Sequence, residues 1–398
     1  MSRRGGLAGS AAVMFAGTLT SRVLGLVRSA LLIAAIYTLG GAADAFAVAN
    51  KLPNIIYMLL AGGVLNAVLV PQIVRAMRAE DGGQEYVNRL LTLAGTLLAA
   101  VTVLLTLAAP VLVTLYAAEF RSGPWASVAV AFAMWCLPQL FFYGMYTLLG
   151  QVLNARSVFG PYMWAPAVNN LFAIIGLIAY IVVFGSFDPA TPDPASAFTG
   201  GRVALLAGSA TLGVAAQAGV LVIPLVRSGF KFRFTWGIRG SGLGRATRVA
   251  WWAFLALLAG QVGYLAISNL AAAASTAAAE AGTYAAGNAA WDNAFLVFML
   301  PQSLITVSLV TAIFTRLSSN AAAGQSRQVR DDLSMGLRTL GVFTMFAAGA
   351  LAVLAVPVVQ VVQFDVATFE AYRAVGAVLV ALATGLPAIA IWTMTQRV

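Results

Sequence analysis

The 398-residue sequence contains no histidine and one cysteine, and only 9% of its residues are charged. Without histidine, imidazole catalysis and histidine-ligated metal sites are excluded. The single cysteine, Cys136, excludes a disulfide within the chain, and its place in an apolar run is typical of a small core residue. A soluble protein of this length would carry about 25% charged residues. The scarcity of charge therefore argues against a soluble globular protein.

Apolar residues make up most of the sequence. The sequence is 61% hydrophobic, with a mean hydropathy of +0.90. Runs of about 20 apolar residues recur, which is the length a helix needs to cross a bilayer. They are rich in Ala, Leu and Gly and lack the alternation of a membrane β-barrel. We predict an all-α polytopic membrane protein with about ten transmembrane helices, at residues 8–38, 45–75, 90–116, 125–150, 161–185, 201–226, 247–271, 289–316, 336–361 and 373–396.

The net charge of +10 is explained by membrane topology, so no nucleic-acid partner is expected. With the N-terminus in the cytoplasm, 17 of the 23 basic residues fall in cytoplasmic segments. Three fall in external segments, namely Arg121, Arg202 and Arg373, and the other three, Arg22, Arg28 and Lys51, lie in or at the first two helices. This distribution follows the positive-inside rule. The longest basic connection is the loop 227–248, which contains Trp236. We interpret this loop as topogenic, and a site for a lipid headgroup or a partner is the alternative.

A weak internal repeat divides the chain into two lobes. A shift of 241 residues places Lys51 over Asp292 and Arg75 over Arg316. We predict an N-terminal lobe at 1–228 with helices 1–6 and an incomplete C-terminal lobe at 229–398 with helices 7–10. Transporters built from such repeats hold the substrate between the two halves. The pseudo-repeated lobes are therefore expected to surround a central cavity.

Two arginines lie inside the first apolar run. A charged side chain at the bilayer centre costs about 2.5–3.5 kcal/mol on insertion scales, so it should face water or a partner. Arg22 lies about 21 Å beyond the inner end of this helix, and Arg28 lies about 9 Å further. They point about 120° apart, and a bend at Gly25 would direct both into one cavity. We predict that both bind a substrate; alternatively, they neutralise Asp44 and Asp292 across the bundle.

The second apolar run supplies further polar candidates. Asp44, Lys51 and Asn54 are predicted to line the same cavity, although Asp44 is also suited to cap a helix. Pro53 removes a backbone hydrogen bond and is expected to kink the helix. Gly62 and Gly63 would either weaken this helix or allow a neighbouring helix to pack closely against it. We predict that Gly25, Pro53, Gly62 and Gly63 act as hinges of a gate.

Other polar or broken stretches give weaker signals. Asn154 and Asn170 flank a proline-containing break between the fourth and fifth spans, and they are further candidates together with Asp292. Pro138, Pro301 and Pro387 are expected to interrupt later spans, and the external loop 187–199 contains three prolines. Non-straight helices of this kind are typical of transporters.

Several motifs match a known family. They are Ser21 to Arg28, Asp44-Ala-Phe46, Lys51-Leu-Pro-Asn54, Val70-Pro71, Leu153-Asn154, Phe159, Ala165-Pro166 and Asn170. With these motifs at these spacings, the sequence resembles the MurJ/MviN family of lipid II flippases. That family belongs to the multidrug/oligosaccharidyl-lipid/polysaccharide exporter superfamily.

The resemblance implies a cationic cavity that binds the diphosphate and sugar headgroup. Arg22, Arg28 and Asp44 match charged positions on which the function of the family depends. Tyr57 stands where other members carry an arginine, and Gly62 replaces a glutamate. The arginine expected on the eighth helix has no counterpart, and Asp292 lies nearby. The family has fourteen helices, so the chain is expected to be truncated.

The resemblance therefore implies a flippase without catalytic residues, metal or cofactor. We expect a bacterial cytoplasmic membrane protein that moves lipid II, an undecaprenyl-diphosphate-linked muropeptide, to the outer leaflet for cell-wall synthesis, by alternating access. Expected partners are lipid II, membrane lipids and proteins of cell-wall synthesis or division. One alternative is a scaffold that recruits such proteins without transport. Another is a different exporter of the superfamily, for polysaccharide lipids, drugs or cations.

Overall fold

A computed structural model describes residues 3–60, 83–156, 158, 160–237 and 243–396. All regular secondary structure in these ranges is helical, which confirms the predicted all-α class. The chain divides into two compact units, Met1–Ala277 and Ala278–Val398, which are described separately. The lobe boundary at residue 228, which comes from the repeat, stays a prediction.

Ten helices begin in the first unit, and α10 runs past its end. They are α1 (Arg3–Ile36), α2 (Gly41–Leu60), α3 (Gln84–Leu107), α4 (Ala109–Tyr116), α5 (Ala126–Cys136), α6 (Gln139–Ala155), α7 (Gly160–Phe184), α8 (Gly200–Gly219), α9 (Val222–Arg227) and α10 (Leu243–Glu280). Short 3-10 turns at Ala118–Arg121 and Ala195–Ala197 lie in two of the connections.

The described part of the second unit contains five further helices. They are α11 (Asn288–Pro301), α12 (Val307–Ala322), α13 (Ser326–Val362), α14 (Phe369–Ala383) and α15 (Leu386–Thr395). A π-helical turn at Gln302–Thr306 joins α11 to α12. The buried Asp332 of α13 accepts hydrogen bonds from Arg316 (2.6 Å) and Asn320 (2.7 Å) of α12. These bonds and an apolar cluster around Leu340 pack α12 against α13.

The described residues contain eight helical segments long and apolar enough to cross a membrane, or nine when the bent pair α14 and α15 counts as one. These nine coincide with nine of the ten predicted spans. The remaining one, 45–75, begins in α2 and continues into residues outside the described ranges. The polytopic class is thus confirmed, and the tenth span stays a prediction.

Prolines mark several of the breaks in these spans. The run 126–155 is interrupted at Leu137 and Pro138, and α11 ends at Pro301. The chain bends by 44° between α14 and α15, just before Pro387. These three interruptions were expected from the sequence. Pro53, in contrast, lies inside α2, which continues helically on both sides of it.

In the first unit, α7 packs closely against both α1 and α8. A Cβ atom at Gly176 of α7 would overlap the side chain of Ser209 on α8. At the contact between α7 and α1, Gly17 of α1 faces the indole ring of Trp164 on α7. Small residues let helix backbones approach closely in membranes, where the apolar lipid supplies little driving force for association. This packing fixes α1, which carries the two arginines.

Loops predicted to share one side of the membrane contact one another. The ring of Phe187 stacks on Tyr37 at a centroid distance of 4.7 Å, and its backbone N–H donates to Ala34. In the same loop, bonds from the Ala190 N–H and the Thr191 hydroxyl lower the pKa of the Asp188 carboxyl. Such contacts support the alternating arrangement of loops, and the cytoplasmic placement of the N-terminus stays a prediction.

Candidate functional site

The two arginines predicted to bind a substrate lie on one uninterrupted helix, α1. Arg22 is exposed and Arg28 is half-buried. Gly25 lies between them within the helix, so the bend expected there stays a prediction. Within the described part of the chain, Arg28 makes no hydrogen bond and no ion pair. A half-buried guanidinium in a spanning helix with this environment is suited to bind an anion.

One neutral group of α5 and one of α6 lie within electrostatic range of Arg28. Its guanidinium lies within electrostatic range of the Tyr143 hydroxyl and the Cys136 thiol. The Tyr143 hydroxyl donates a long hydrogen bond of 3.5 Å to Oε1 of Gln139. Cys136 is fully buried, as the sequence predicted.

Gln139 is the centre of a polar cluster formed by Asn50, Gln139, Tyr143 and Thr211. Its amide Nε2 donates to Oδ1 of Asn50 on α2 (3.0 Å) and to Oγ1 of Thr211 on α8 (3.2 Å). Gln139 is only 1% exposed. Buried amides in a membrane protein are stable when they are bonded in this way. The cluster therefore connects three helices next to Arg28.

Tyr57 occupies the position at which the resemblance leads one to expect an arginine. Its ring lies 5.7 Å from the ring of Tyr143, and its hydroxyl is hydrogen-bonded to that of Thr147. A neutral phenol thus extends the polar lining of this region along α6. The positive charge of the candidate site therefore comes from α1 and α2.

The other predicted residues of α2 differ in their environment. Asp44 lies in the first turn and is 1% exposed, whereas Asn54 is exposed. The ammonium of Lys51 lies 4.5 Å from the ring centroid of Tyr264 on α10. An aromatic face at this distance attracts a cation. The ring of Tyr264 is thus positioned to hold Lys51 in place.

The two asparagine candidates have different surroundings. Asn170 on α7 donates from Nδ2 to the backbone oxygen of Ser21 (2.8 Å), directly before Arg22. A Cβ atom at Gly25 would lie 3.6 Å from the same Nδ2 atom. Asn170 therefore fastens α7 to α1 next to Arg22. Asn154, near the end of α6, has a buried Oδ1 without a hydrogen-bond partner among the described residues.

The remaining candidates are not joined to this region by the structure. Asp292 lies on α11, in the second unit. Gly62 and Gly63 lie outside the described residues, as do the motif positions Val70, Pro71 and Phe159. No group of three or more acidic or cysteine side chains suited to a metal occurs in the described ranges.

Sequence reasoning did not select the members of the polar cluster. Gln139 would have been the easiest of them to identify from the sequence, because an amide directly after a proline in a long apolar run must find a partner in the membrane. Asn50 adjoins the Lys51-Leu-Pro-Asn54 motif and was overlooked for its charged neighbour. Thr211 gives no signal, because threonine is common in spanning helices and its partner is 72 residues away.

Comparison with known proteins gives the family. The family model described as "Lipid II flippase MurJ" matches residues 33–398 and thus begins five residues after Arg28. A probable lipid II flippase MurJ of Rhizobium tropici is 26% identical over 382 residues, which cover 93% of this chain and 66% of that protein. A protein of the same description from Haemophilus influenzae is 26% identical over 362 residues, covering 85% and 65%. The chain thus spans about two thirds of the length of these relatives.

Solved structures show the same fold. The structure described as "Lipid II flippase MurJ, inward closed conformation" matches with a TM-score of 0.73 at 17% identity, over 96% of this chain and 74% of that one. An inward-facing multidrug resistance MATE transporter matches with a TM-score of 0.66 at 14% identity, over 97% and 86%. With the family match over most of its length and its many apolar helices, the chain is a multi-pass protein of the bacterial cytoplasmic membrane and belongs to the MurJ family.

Proposed function

We propose that this chain acts in moving lipid II across the cytoplasmic membrane, with Arg28 binding the diphosphate that links the sugar to the lipid. The observation that carries the proposal is the half-buried Arg28, which has no ion pair among the described residues. The energetic cost of such a cation falls when an anion binds beside it. A diphosphate presents several oxygens that a guanidinium can bind through two parallel hydrogen bonds.

Arg22 on α1 and Lys51 on α2 would each add a positive charge to this site. Arg22 is exposed and lies six residues, about 1.7 helical turns, before Arg28. Lys51 lies against Tyr264. The neutral polar cluster would meet hydroxyl and amide groups of the headgroup, because Asn50 and Tyr143 carry both donors and acceptors. The proposed process is noncovalent: the headgroup is exposed first to the cytoplasm and then to the outside by alternating access.

Growth of a bacterial strain depleted of its own flippase tests the proposal. The protein, expressed at its natural length, should support growth, and Arg28→Ala should abolish growth while membrane insertion is retained. Arg28→Lys should restore growth only in part, because an ammonium lacks the planar pair of donors. Arg121→Ala, which removes an exposed loop cation, is the matched control and should grow normally.

Normal growth of the Arg28→Ala strain would overturn the proposed role of this residue. Equal loss in the Arg28→Ala and Arg121→Ala strains would also contradict it, because the effect would then follow net charge alone. Membrane levels of each variant, measured by immunoblot, separate loss of function from loss of protein.

A further inference from the structure

An extended segment, residues 229–237, connects α9 towards α10, and we call it the strap. Its first aromatic residue, Phe230, is 3% exposed and belongs to the apolar cluster around α3 and α6. The next three aromatic residues are Phe232 (57% exposed), Phe234 (64%) and Trp236 (60%). Their exposure calls for an explanation, because large apolar side chains placed together on a surface commonly mark an interaction site.

Side chains of α3 hold the backbone of the strap in place. Asn88 donates from Nδ2 to the carbonyl of Lys231 (3.2 Å) and accepts from the N–H of Arg233 (3.0 Å). The backbone N–H and C=O of one residue in a neighbouring parallel strand make the same pair of bonds, so the Asn88 carboxamide substitutes for such a residue. Gln84 and Thr92, one turn to either side, bond to Gly229 and Thr235.

The start of the strap is fixed by a separate contact. Arg156, at the end of α6, donates to the carbonyl of Ser228 (3.0 Å), and its guanidinium lies 5.4 Å from the ring centroid of Phe230. Because these bonds use the strap backbone and Phe230, they leave the side chains of Lys231 and Arg233 exposed. A rigid extended segment thus presents two cations and three aromatic rings within six residues.

The strap also lies where a membrane surface is expected. It directly follows the spanning segment Gly200–Arg227 and rests on the first three turns of α3, the start of the spanning segment Gln84–Leu107. Phe234 and Trp236 pack edge to face at 5.4 Å, which stiffens the exposed pair. Tryptophan and neighbouring aromatic rings favour the headgroup level of a bilayer, and basic side chains beside them attract anionic lipids.

We propose that the strap is a binding site for the headgroups of anionic glycerophospholipids in the leaflet that it faces. The rings of Phe232, Phe234 and Trp236 enter the interface, and Lys231 and Arg233 bind the lipid phosphates. An acidic protein segment would match the two cations, but it would not account for the apolar rings at the edge of the membrane. This site is distinct from the proposed substrate site on α1 and α2, and its test does not depend on transport.

The experiment titrates the purified full chain in neutral detergent with dioleoyl phosphatidylglycerol or dioleoyl phosphatidylcholine, and native mass spectrometry measures the bound lipids. The variant K231Q/R233Q removes the two strap cations. The control R121Q/R373Q removes two exposed cations from predicted external segments, so both proteins lose the same charge. All substitutions are on the surface and should leave the fold intact.

K231Q/R233Q should bind phosphatidylglycerol about 30-fold more weakly, since each basic residue near an anionic surface contributes a factor of about five. Phosphatidylcholine binding should stay unchanged, and R121Q/R373Q should retain the affinity of the wild type. Equal affinity of K231Q/R233Q and the wild type for phosphatidylglycerol would overturn the proposal. An equal loss in both double variants would also overturn it. So would a K231Q/R233Q variant that loses binding of an acidic peptide but binds phosphatidylglycerol as the wild type does.

A second variant set tests the aromatic part. F232A/F234A should weaken the binding of both lipids to a similar extent, because it removes apolar contact and no charge. The control F343A/F346A removes two exposed rings from the spanning helix α13 and should leave the binding of both lipids unchanged. Unchanged lipid binding by F232A/F234A would contradict insertion of the rings.

Discussion

Replacing Gln139 by leucine would remove the centre of the polar cluster with little change in volume. The substitution deletes two donated bonds, to Asn50 (3.0 Å) and Thr211 (3.2 Å), and the long bond accepted from Tyr143. Thr211 would keep its bond to the carbonyl of Trp135. Among the described residues, Oδ1 of Asn50 would retain only the weak thiol donor Cys136. The main loss is therefore at α2.

The size of the effect follows from hydrogen bonds measured in other membrane proteins. Such bonds average about 0.6 kcal/mol and reach about 1.7 kcal/mol, so two of them give about 1–2 kcal/mol. This loss corresponds to a change of roughly five- to thirtyfold in the unfolding equilibrium. We expect Gln139→Leu to be less stable than the wild type by this amount.

Reversible unfolding in mixed detergent micelles, followed by circular dichroism, measures this loss. A double-mutant cycle with Thr211→Val should give a coupling energy near 0.6 kcal/mol. Thr114→Val is the control, because the Thr114 hydroxyl is exposed and bonds only within its own helix. A stability of Gln139→Leu within about 0.3 kcal/mol of the wild type, or no coupling with Thr211, would refute the reasoning.

Three further substitutions test contacts elsewhere. Gly176→Ala should lower the free energy of unfolding by about 1–3 kcal/mol, because the added methyl group forces α7 and α8 apart. Gly263→Ala is the control, because its methyl group enters open space and should not destabilise the protein. Equal loss of thermal stability in the two variants would contradict this packing. Arg316→Gln should lower the free energy of unfolding more than Asp332→Asn does. The first change leaves a buried carboxylate without its ion pair, whereas the second leaves an exposed guanidinium in water. Unfolding free energies of the two variants decide the order. Tyr264→Leu should lose about 0.5–2 kcal/mol of unfolding free energy more than Tyr264→Phe, since phenylalanine keeps the ring beneath the ammonium. Equal losses would show that the ring face is not the source.

The helices of this protein could be predicted from the sequence because long apolar runs and breaks at proline are local properties. The interruptions at Pro138, Pro301 and Pro387 follow from the missing N–H and the clash of the ring with the preceding turn. Pro53 lies inside α2, which is helical on both sides of it, and the kink expected there stays a prediction. Neighbouring helices can satisfy the freed carbonyl in a membrane protein, and they are not visible in the sequence.

The candidate site could be predicted only in its charged residues. Arg22 and Arg28 are conspicuous because an arginine in an apolar run is costly. The polar cluster escaped prediction because its bonds connect residues 72 and 89 positions apart, and neutral amides and hydroxyls occur throughout spanning helices. The role of Tyr264 was equally hidden, since its contact with Lys51 depends on where α10 packs.

The bonds between Asn88 and the strap have a consequence for the order of synthesis. Their partners lie 143 and 145 residues apart, so at about 5–20 residues per second the strap is made roughly 7–30 s after Asn88. Until then the amide of Asn88 can be satisfied only by water or lipid headgroups, because a bare amide in hydrocarbon is costly. The first turns of α3 should therefore wait at the membrane surface until the strap arrives and its backbone takes the place of water and headgroups as the partner of Asn88.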